Sequence, residues 1–359
     1  MYAVVMAGGG GTRLHPLSRP ERPKPFLPLV GGETLIQSTA RRLAALTDDI
    51  TVVTDRRYER LVRDQLPDAG VLLEPMGRNT AAAIALATLA LDRPADAVML
   101  VVPADAHIDP GREGVYQGVL ETAADLLATG AFGIDDPLVT LGTQITRPAI
   151  EYGYLLPDLA RAGVVGVGGA AVRAYPLKAF EEKPKPARAE DLFERTEGAA
   201  WNAGIFLWRR RAIRAALMRY TGLVQSLEPM IAAAPLLERA YESIQAALSI
   251  DHAVMEGAAR NGQVVMAAMD VGWSDLGSWT ALLAAIGARG EGTVVQAGET
   301  VEVDDDDLVV RRVDGRLGVI APAERGSMTA TQPIAVLRGT AADIDVVRDL
   351  IARCSEGGG

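Results

Sequence analysis

Cysteine is nearly absent. Cys354 stands alone among 359 residues, so no intramolecular disulfide can form and no cysteine-based structural zinc site is expected. Cations are in deficit as well. The net charge of -10 and a pI near 5.0 argue against nucleic acid as a partner, because a phosphate backbone is held by clustered Lys and Arg. No apolar run reaches the roughly 18 residues of a membrane span. The longest, from Ala81 to Leu91, falls well short, and no basic region precedes the apolar start "MYAVVMA". The expectation is a cytoplasmic protein that engages neither membrane nor nucleic acid. No solenoid-type repeat is visible, and "GGG" at the end is the one low-complexity stretch.

What is present reads as an ordinary globular chain. With 49% hydrophobic and 23% charged residues, it is long enough for one large α/β domain and a smaller one. Short apolar runs at Tyr2 to Ala7, Ile50 to Thr54, Val71 to Leu73 and Ala97 to Val102 predict buried strands. Between and after them, helical periodicity marks Thr34 to Leu46, Asp55 to Leu66, Asn79 to Leu91 and Glu113 to Ala128. This alternation predicts a Rossmann-like, doubly wound α/β fold with a mixed, mainly parallel sheet, its ligands at the carboxyl ends of the strands. After Pro148 the regularity loosens through a Gly-rich segment, and helix-like stretches follow from Arg210 to Ala259. Beyond Gly287 short strands with turn signals lead to a helix predicted over Asp343 to Arg353. The expected division is a catalytic domain over 1–286 and a small β-rich domain over 287–359.

The first strand runs into "MAGGGGTRLHPLSRPERPKPFLPL", from Met6 to Leu29. Glycines after a strand let several backbone N–H groups converge on phosphate oxygens. Gly8, Gly9, Gly10 and Gly11 are placed for that. Arg13 stands where the third glycine of a dinucleotide fingerprint belongs, and no Lys-Ser or Lys-Thr pair follows as in a P-loop. What remains is backbone donors with Arg13 as a bidentate phosphate ligand and Lys24 as a point charge, on a chain stiffened by Pro16, Pro20, Pro23, Pro25 and Pro28. The plain alternative is a Gly/Pro-rich surface loop with solvated charges.

This loop resembles the signature of the sugar-1-phosphate nucleotidylyltransferases. Further blocks, "EPMGRNTAAAIALA", "VVPADAHI", "YGYLLP", "FEEKPK", "WNAGIFLWR", "SIDHAVMEGA" and "VGWSDLGSW", are similar to the mannose-1-phosphate guanylyltransferase branch from Met1 to about Ala284. The resemblance implies transfer of GMP from GTP to α-D-mannose 1-phosphate, giving GDP-mannose and pyrophosphate, in a Mg²⁺-dependent homodimer. Gly8 to Gly11, Thr12 and Arg13 would hold the triphosphate, and Lys24 would join Arg13 on its β- and γ-phosphates. Asp105 and Asp275 would bind the metal, although only the fold can bring such distant residues together. Asn79 and Thr80 would lie against the base. Gly153, Glu182, Lys183 and Asn202 would form the sugar-phosphate pocket, with Lys183 on the phosphate and Glu182 accepting from hydroxyls.

Each residue also has a structural reading. Asp105 and Asp275 suit turns or caps, Asn79 suits a helix N-cap, and Glu182–Lys183 suits a surface strand. Trp201, Trp208, Trp273 and Trp279 read mostly as core packing. The chain departs from the resembled pattern in two places. Ala106 separates Asp105 from His107, which leaves His107 a structural role, and Ile150 and Glu151 replace the usual Thr-Gly before "YGY". The acidic stretch Val303 to Leu308 lacks EF-hand spacing and reads as a solvated turn. Rival functions are a relative using another nucleotide or hexose, a guanylyltransferase acting on a molybdenum-cofactor precursor, and a non-catalytic nucleotide-sugar sensor. The intact cations and metal aspartates favour an enzyme over the sensor.

Overall fold

The computed structural model describes residues 1–9, 12–128, 130–167, 170–320 and 325–356. They pack into two units. The first holds Met1–Gly8, Ala40–Pro103 and Ile108–Trp273; the second holds Gly9–Thr39, Ala104–His107 and Ser274–Gly359. The C-terminal strands thus share a unit with two segments from much earlier in the chain.

The first unit is built on a sheet of β1 (Tyr2–Met6), β2 (Ile50–Asp55), β3 (Gly70–Glu74), β4 (Val98–Pro103), β5 (Leu138–Gln144), β6 (Gly153–Pro157), β7 (Gly163–Val167), β8 (Ala170–Glu182), β9 (Ala200–Arg209) and β10 (Val264–Met269). Among the described residues the order is β3-β2-β1-β4-β9-β5-β10-β8-β6, with β7 on β8. The expected alternation holds from β1 to β4, all parallel neighbours, and again for β5 with β10. The sheet is mixed as expected, but not mainly parallel. β9 runs antiparallel to β4 and β5, and β8 runs antiparallel to β6, β7 and β10. Parallel neighbours need a crossover of about a dozen residues or more. The links around β7 are too short for one.

The apolar stretch from Ala81 explains itself here. The helix Asn79–Ala90 buries Ala81 to Thr88, as a helix apolar on all sides must. It joins a continuous core with Tyr2, Val4, Val101, Phe206 and Trp208, the last two stacked at 5.3 Å. The helix Glu113–Ala128 has the predicted bounds.

The second unit carries β11 (Glu291–Val295), β12 (Thr300–Val303), β13 (Leu308–Val313), β14 (Arg316–Ile320), β15 (Gly326–Thr329) and β16 (Ile334–Arg338). They form a sheet of order β11-β16-β13-β14 and a separate β12-β15 pair. Leu14, Leu17, Leu27 and Leu29 share a core with Trp279, Leu337 and Leu350 of the closing helix Ile344–Glu356. Trp279 Nε1 donates to the His15 carbonyl at 2.8 Å, which pins the glycine-loop segment to this core. The acidic turn is only partly solvated. Asp307 is buried, accepts from the Asp304 N–H at 3.0 Å and lies 3.6 Å from Arg338.

Candidate active site

In the second unit, three distant segments deliver charge to one place. Lys24 starts a short 3-10 turn between Pro23 and Pro25, and its side chain is only 7% exposed. Its ammonium lies 2.8 Å from Asp105 Oδ2 and donates to the main-chain oxygen of Asp275. Arg13 approaches from the other side, Nη2 3.7 Å from Asp275 Oδ2, and is largely exposed. A cavity of 230 Å³ is lined by Gly9, Arg13, Lys24, Asp105 and Gly277. Gly10 and Gly11 lie outside the described residues, and Thr12 enters the turn Thr12–Leu14.

The backbone explains how the segments that carry the two aspartates come side by side. His107 N–H donates to Ser274 O at 2.8 Å and Ser274 N–H to His107 O at 3.1 Å, so a two-way bridge holds Ala104–His107 beside the Asp275 turn. His107 contributes its main chain, in keeping with a structural role. In the turn, Asp275 Oδ1 accepts from Gly277 N–H at 2.9 Å and Leu276 takes φ 43°. A Cβ on Gly277 would stand 2.3 Å from Asp275 Oδ2, so only glycine leaves this carboxylate in place.

The donor chemistry fits Mg²⁺. No group of three or more His, Cys, Asp or Glu suited to a metal occurs among the described residues; Asp105 and Asp275 carry hard carboxylate oxygens, which in this structure pair with Lys24, Arg13 and the Gly277 N–H. Mg²⁺ commonly takes one or two carboxylates and completes its shell with phosphate oxygens and water.

In the first unit, β6 and β8 set Gly153 opposite Glu182. A Cβ on Gly153 would fall 2.5 Å from Glu182 Oε2, so the glycine makes room for the buried carboxylate. Lys183 follows with φ 48°, a strained conformation for a side-chain-bearing residue, and places Nζ 2.8 Å from Glu182 Oε1 while staying half exposed. Asn202 on β9 is buried and bonded to Thr140, Gly204 and Asp251. Trp201 and Trp273 each meet the Tyr152 ring edge-on, and their buried Nε1 atoms find no hydrogen-bond partner among the described residues.

A second group gathers where β1, β2 and β3 end, at Gly8, Asp55 and Glu74. Glu74 is buried, with Oε1 3.4 Å from the Tyr241 hydroxyl, and a Cβ on Gly8 would lie 3.5 Å from Oε2. Burial pushes the Glu74 carboxyl up to about 7, against the smaller opposing pull of the Tyr241 hydrogen bond. Burial raises the Tyr241 hydroxyl as well. Asn79 opens its helix with φ 65°. Its Oδ1 accepts from Thr80 N–H at 2.8 Å and its Nδ2 donates to Ala247 O at 3.1 Å, while Thr80 Oγ1 accepts from Ile250 N–H at 2.8 Å. Both side chains therefore serve the local fold, but Asn79 does not cap its helix as expected: it is the first helical residue, and the N-cap position falls to Arg78, which makes no side-chain cap bond.

Glu74 and Asp251 were not singled out by sequence reasoning. Each lay inside a recognised block, as an acidic residue next to apolar neighbours, and that was the available signal.

Mixed-sheet architecture in one unit and a cation–carboxylate cluster in the other define the class as an α/β protein with a charged candidate site. The chain belongs to the nucleotidyl transferase family, whose model matches residues 2–290. It is 35% identical over 324 residues to the xanthan biosynthesis protein XanB of Xanthomonas campestris, covering 84% of this chain and 62% of that one. It is 35% identical over 310 residues to the mannose-1-phosphate guanylyltransferase of Escherichia coli K12, covering 82% and 61%. The chain thus spans about three fifths of the length of these relatives. A crystal structure from Thermus thermophilus, described as mannose-1-phosphate geranyltransferase, superposes with a TM-score of 0.68 at 34% identity over 80% of each chain. No helix among the described residues is long and apolar enough to cross a membrane.

Proposed function

We propose that the chain transfers the nucleotidyl group of a nucleoside triphosphate to a sugar 1-phosphate, and that the substrates are GTP and mannose 1-phosphate, yielding GDP-mannose and pyrophosphate. The observation that carries this reading is the Lys24 ammonium held against Asp105 and the Asp275 main chain, with Arg13 beside Asp275. Two polyanions react only where their charge is neutralised and their approach aligned. The E. coli relative's name supports the choice of substrates.

Arg13 and Lys24 would grip the β- and γ-phosphates and stabilise charge on the departing pyrophosphate. Asp105 and Asp275 would hold Mg²⁺, which when bound neutralises charge at the α-phosphate. The attacking phosphate oxygen is already anionic at neutral pH, so no residue need remove its proton. Its bond to the α-phosphorus forms as the bond to the bridging oxygen of pyrophosphate breaks. Lys183, with its exposed ammonium, would orient the sugar phosphate, and Glu182 and Asn202 would bond sugar hydroxyls. Glu74, once ionised, would favour guanine. Its two oxygens match the adjacent N1–H and N2–H donors of that base, whereas uracil and thymine offer one N–H between two carbonyls.

A second reading, the same reaction with a different hexose, is favoured by Glu151. This residue pairs with Arg147, whose guanidinium lies over Tyr152 and Trp201 at 5.8 and 5.9 Å. The test is pyrophosphate release with Mg²⁺, each nucleoside triphosphate and a panel of hexose 1-phosphates. GTP with mannose 1-phosphate should be fastest. Another hexose in the lead supports the second reading, and silence with every pair overturns both in favour of a nucleotide-sugar binder.

A further inference from the structure

Asn202 is held by a network that fixes its amide orientation. Its Oδ1 accepts from Thr140 Oγ1 at 2.7 Å and from Gly204 N–H at 3.3 Å, so oxygen faces the sheet. The NH₂ must then point the other way, and Asp251 Oδ1 takes one of its protons at 2.9 Å. No acceptor among the described residues takes the other, which is therefore presented in a fixed direction. Asp251 opens a single π-helical turn, Asp251–Met255. Such turns are rare and frequent at functional sites.

The surroundings of Asp251 are charged from two sides. Glu182 and Lys183 face it from the end of β8 and the residue after it, and Ser249 bonds it from its own segment. Further along the same run, His252 Nδ1 lies 3.3 Å from Glu256 Oε1, and that oxygen accepts from Glu182 N–H at 3.2 Å. Burial first, then the Glu182 charge, raises the Asp251 carboxyl above its ordinary range. A group kept there against desolvation and a like charge is held by specific contacts; Ser249 and the local backbone supply some, and the one that reaches across to the sheet is with Asn202.

We propose that Asp251 is a positioning residue for the sugar phosphate, acting through Asn202 by fixing which way its free N–H points. The inference rests on Asn202 belonging to the sugar-phosphate pocket. Asp251 itself forms and breaks no bond in the reaction.

The test is the Michaelis constant for each substrate in Asp251→Ala, Asp251→Asn, Asn202→Ala and the Asp251→Ala/Asn202→Ala double variant. Asp251→Ala should raise the constant for the hexose phosphate by about tenfold, the scale of one lost hydrogen bond, and leave that for GTP within about twofold. Asp251→Asn keeps an acceptor oxygen in place and should recover most of the loss. The double variant should be no worse than Asn202→Ala alone, because the first residue acts only through the second. If Asp251→Ala does not fold, Asp251→Ser, which keeps a hydroxyl but falls short of Asn202, should show the same split between substrates. Additive losses, equal effects on both substrates, or no effect beside an impaired Asn202→Ala overturn the positioning role and leave the pocket standing. No effect in Asn202→Ala as well removes the pocket reading and the inference together.

Discussion

Lys24 Nζ stands 2.8 Å from Asp105 Oδ2 in a setting that leaves the lysine side chain 7% exposed. A buried ammonium against a carboxylate is costly to strip of its partner, because the remaining charge stays desolvated. Lys24→Met should lower kcat by at least about a hundredfold, the usual scale for losing a preorganised charge at a reacting phosphate. Lys24→Arg should not restore it, since a planar guanidinium is bulkier than the compact, 7% exposed ammonium that meets both Asp105 and the Asp275 main chain. Steady-state pyrophosphate release checks both variants.

Asp275→Asn should abolish turnover while leaving thermal unfolding almost unchanged. The amide can still accept from Gly277 N–H, so the turn survives without its charge. An unchanged rate would remove Asp275 from the proposed metal pair.

Gly277→Ala should copy that phenotype. The new methyl would meet Asp275 Oδ2 at 2.3 Å and push the carboxylate aside. Activity close to wild type would show that the position of this carboxylate is not critical.

Lys183→Ala should raise the Michaelis constant for the sugar phosphate much more than that for GTP. The lysine is half exposed and pairs with Glu182, so folding should be little affected. Equal effects on both substrates would contradict its assignment.

Glu74 yields a prediction about pH. Its folded value, about 7, lies above its ordinary 4.5, so the native state holds the proton more tightly than the unfolded chain does. Stability from this group is full below about 4.5 and is lost as pH rises towards 7. The shift corresponds to about 3 kcal/mol. Glu74→Gln should therefore unfold at a higher temperature than wild type at pH 8, with the advantage gone at acidic pH. The same variant should weaken the preference for GTP in the triphosphate panel. Identical melting curves at both pH values would contradict the buried, protonatable carboxylate.

Much of the framework was legible because strong local signals agree with the fold. The first four strands are short apolar runs separated by amphipathic or wholly apolar helices, and both signals survive without tertiary help. The helix Glu113–Ala128 and the buried Asn79–Ala90 follow from them. Strand direction was less legible. β7 and β8 begin in glycine and alanine, which carry little strand preference, and the antiparallel insertion of β9 between β4 and β5 is not written in its own residues. At the candidate site, Arg13, Lys24, Asp105 and Asp275 were visible as motif residues. The His107–Ser274 bridge that joins two of their segments was not, because it uses main-chain atoms that every residue possesses. Glu74 and Asp251 stayed hidden because their importance comes from burial and partners.

That bridge also fixes when the centre can exist. Arg13, Lys24 and Asp105 leave the ribosome early, yet the strand-like partner that aligns Asp105, and the second carboxylate, arrive only with Ser274 and Asp275. A nascent or truncated chain ending before Ser274 would carry all the cations proposed to bind phosphate and, on the proposed mechanism, would still be inert, so activity would await synthesis of the WSDLGSW segment.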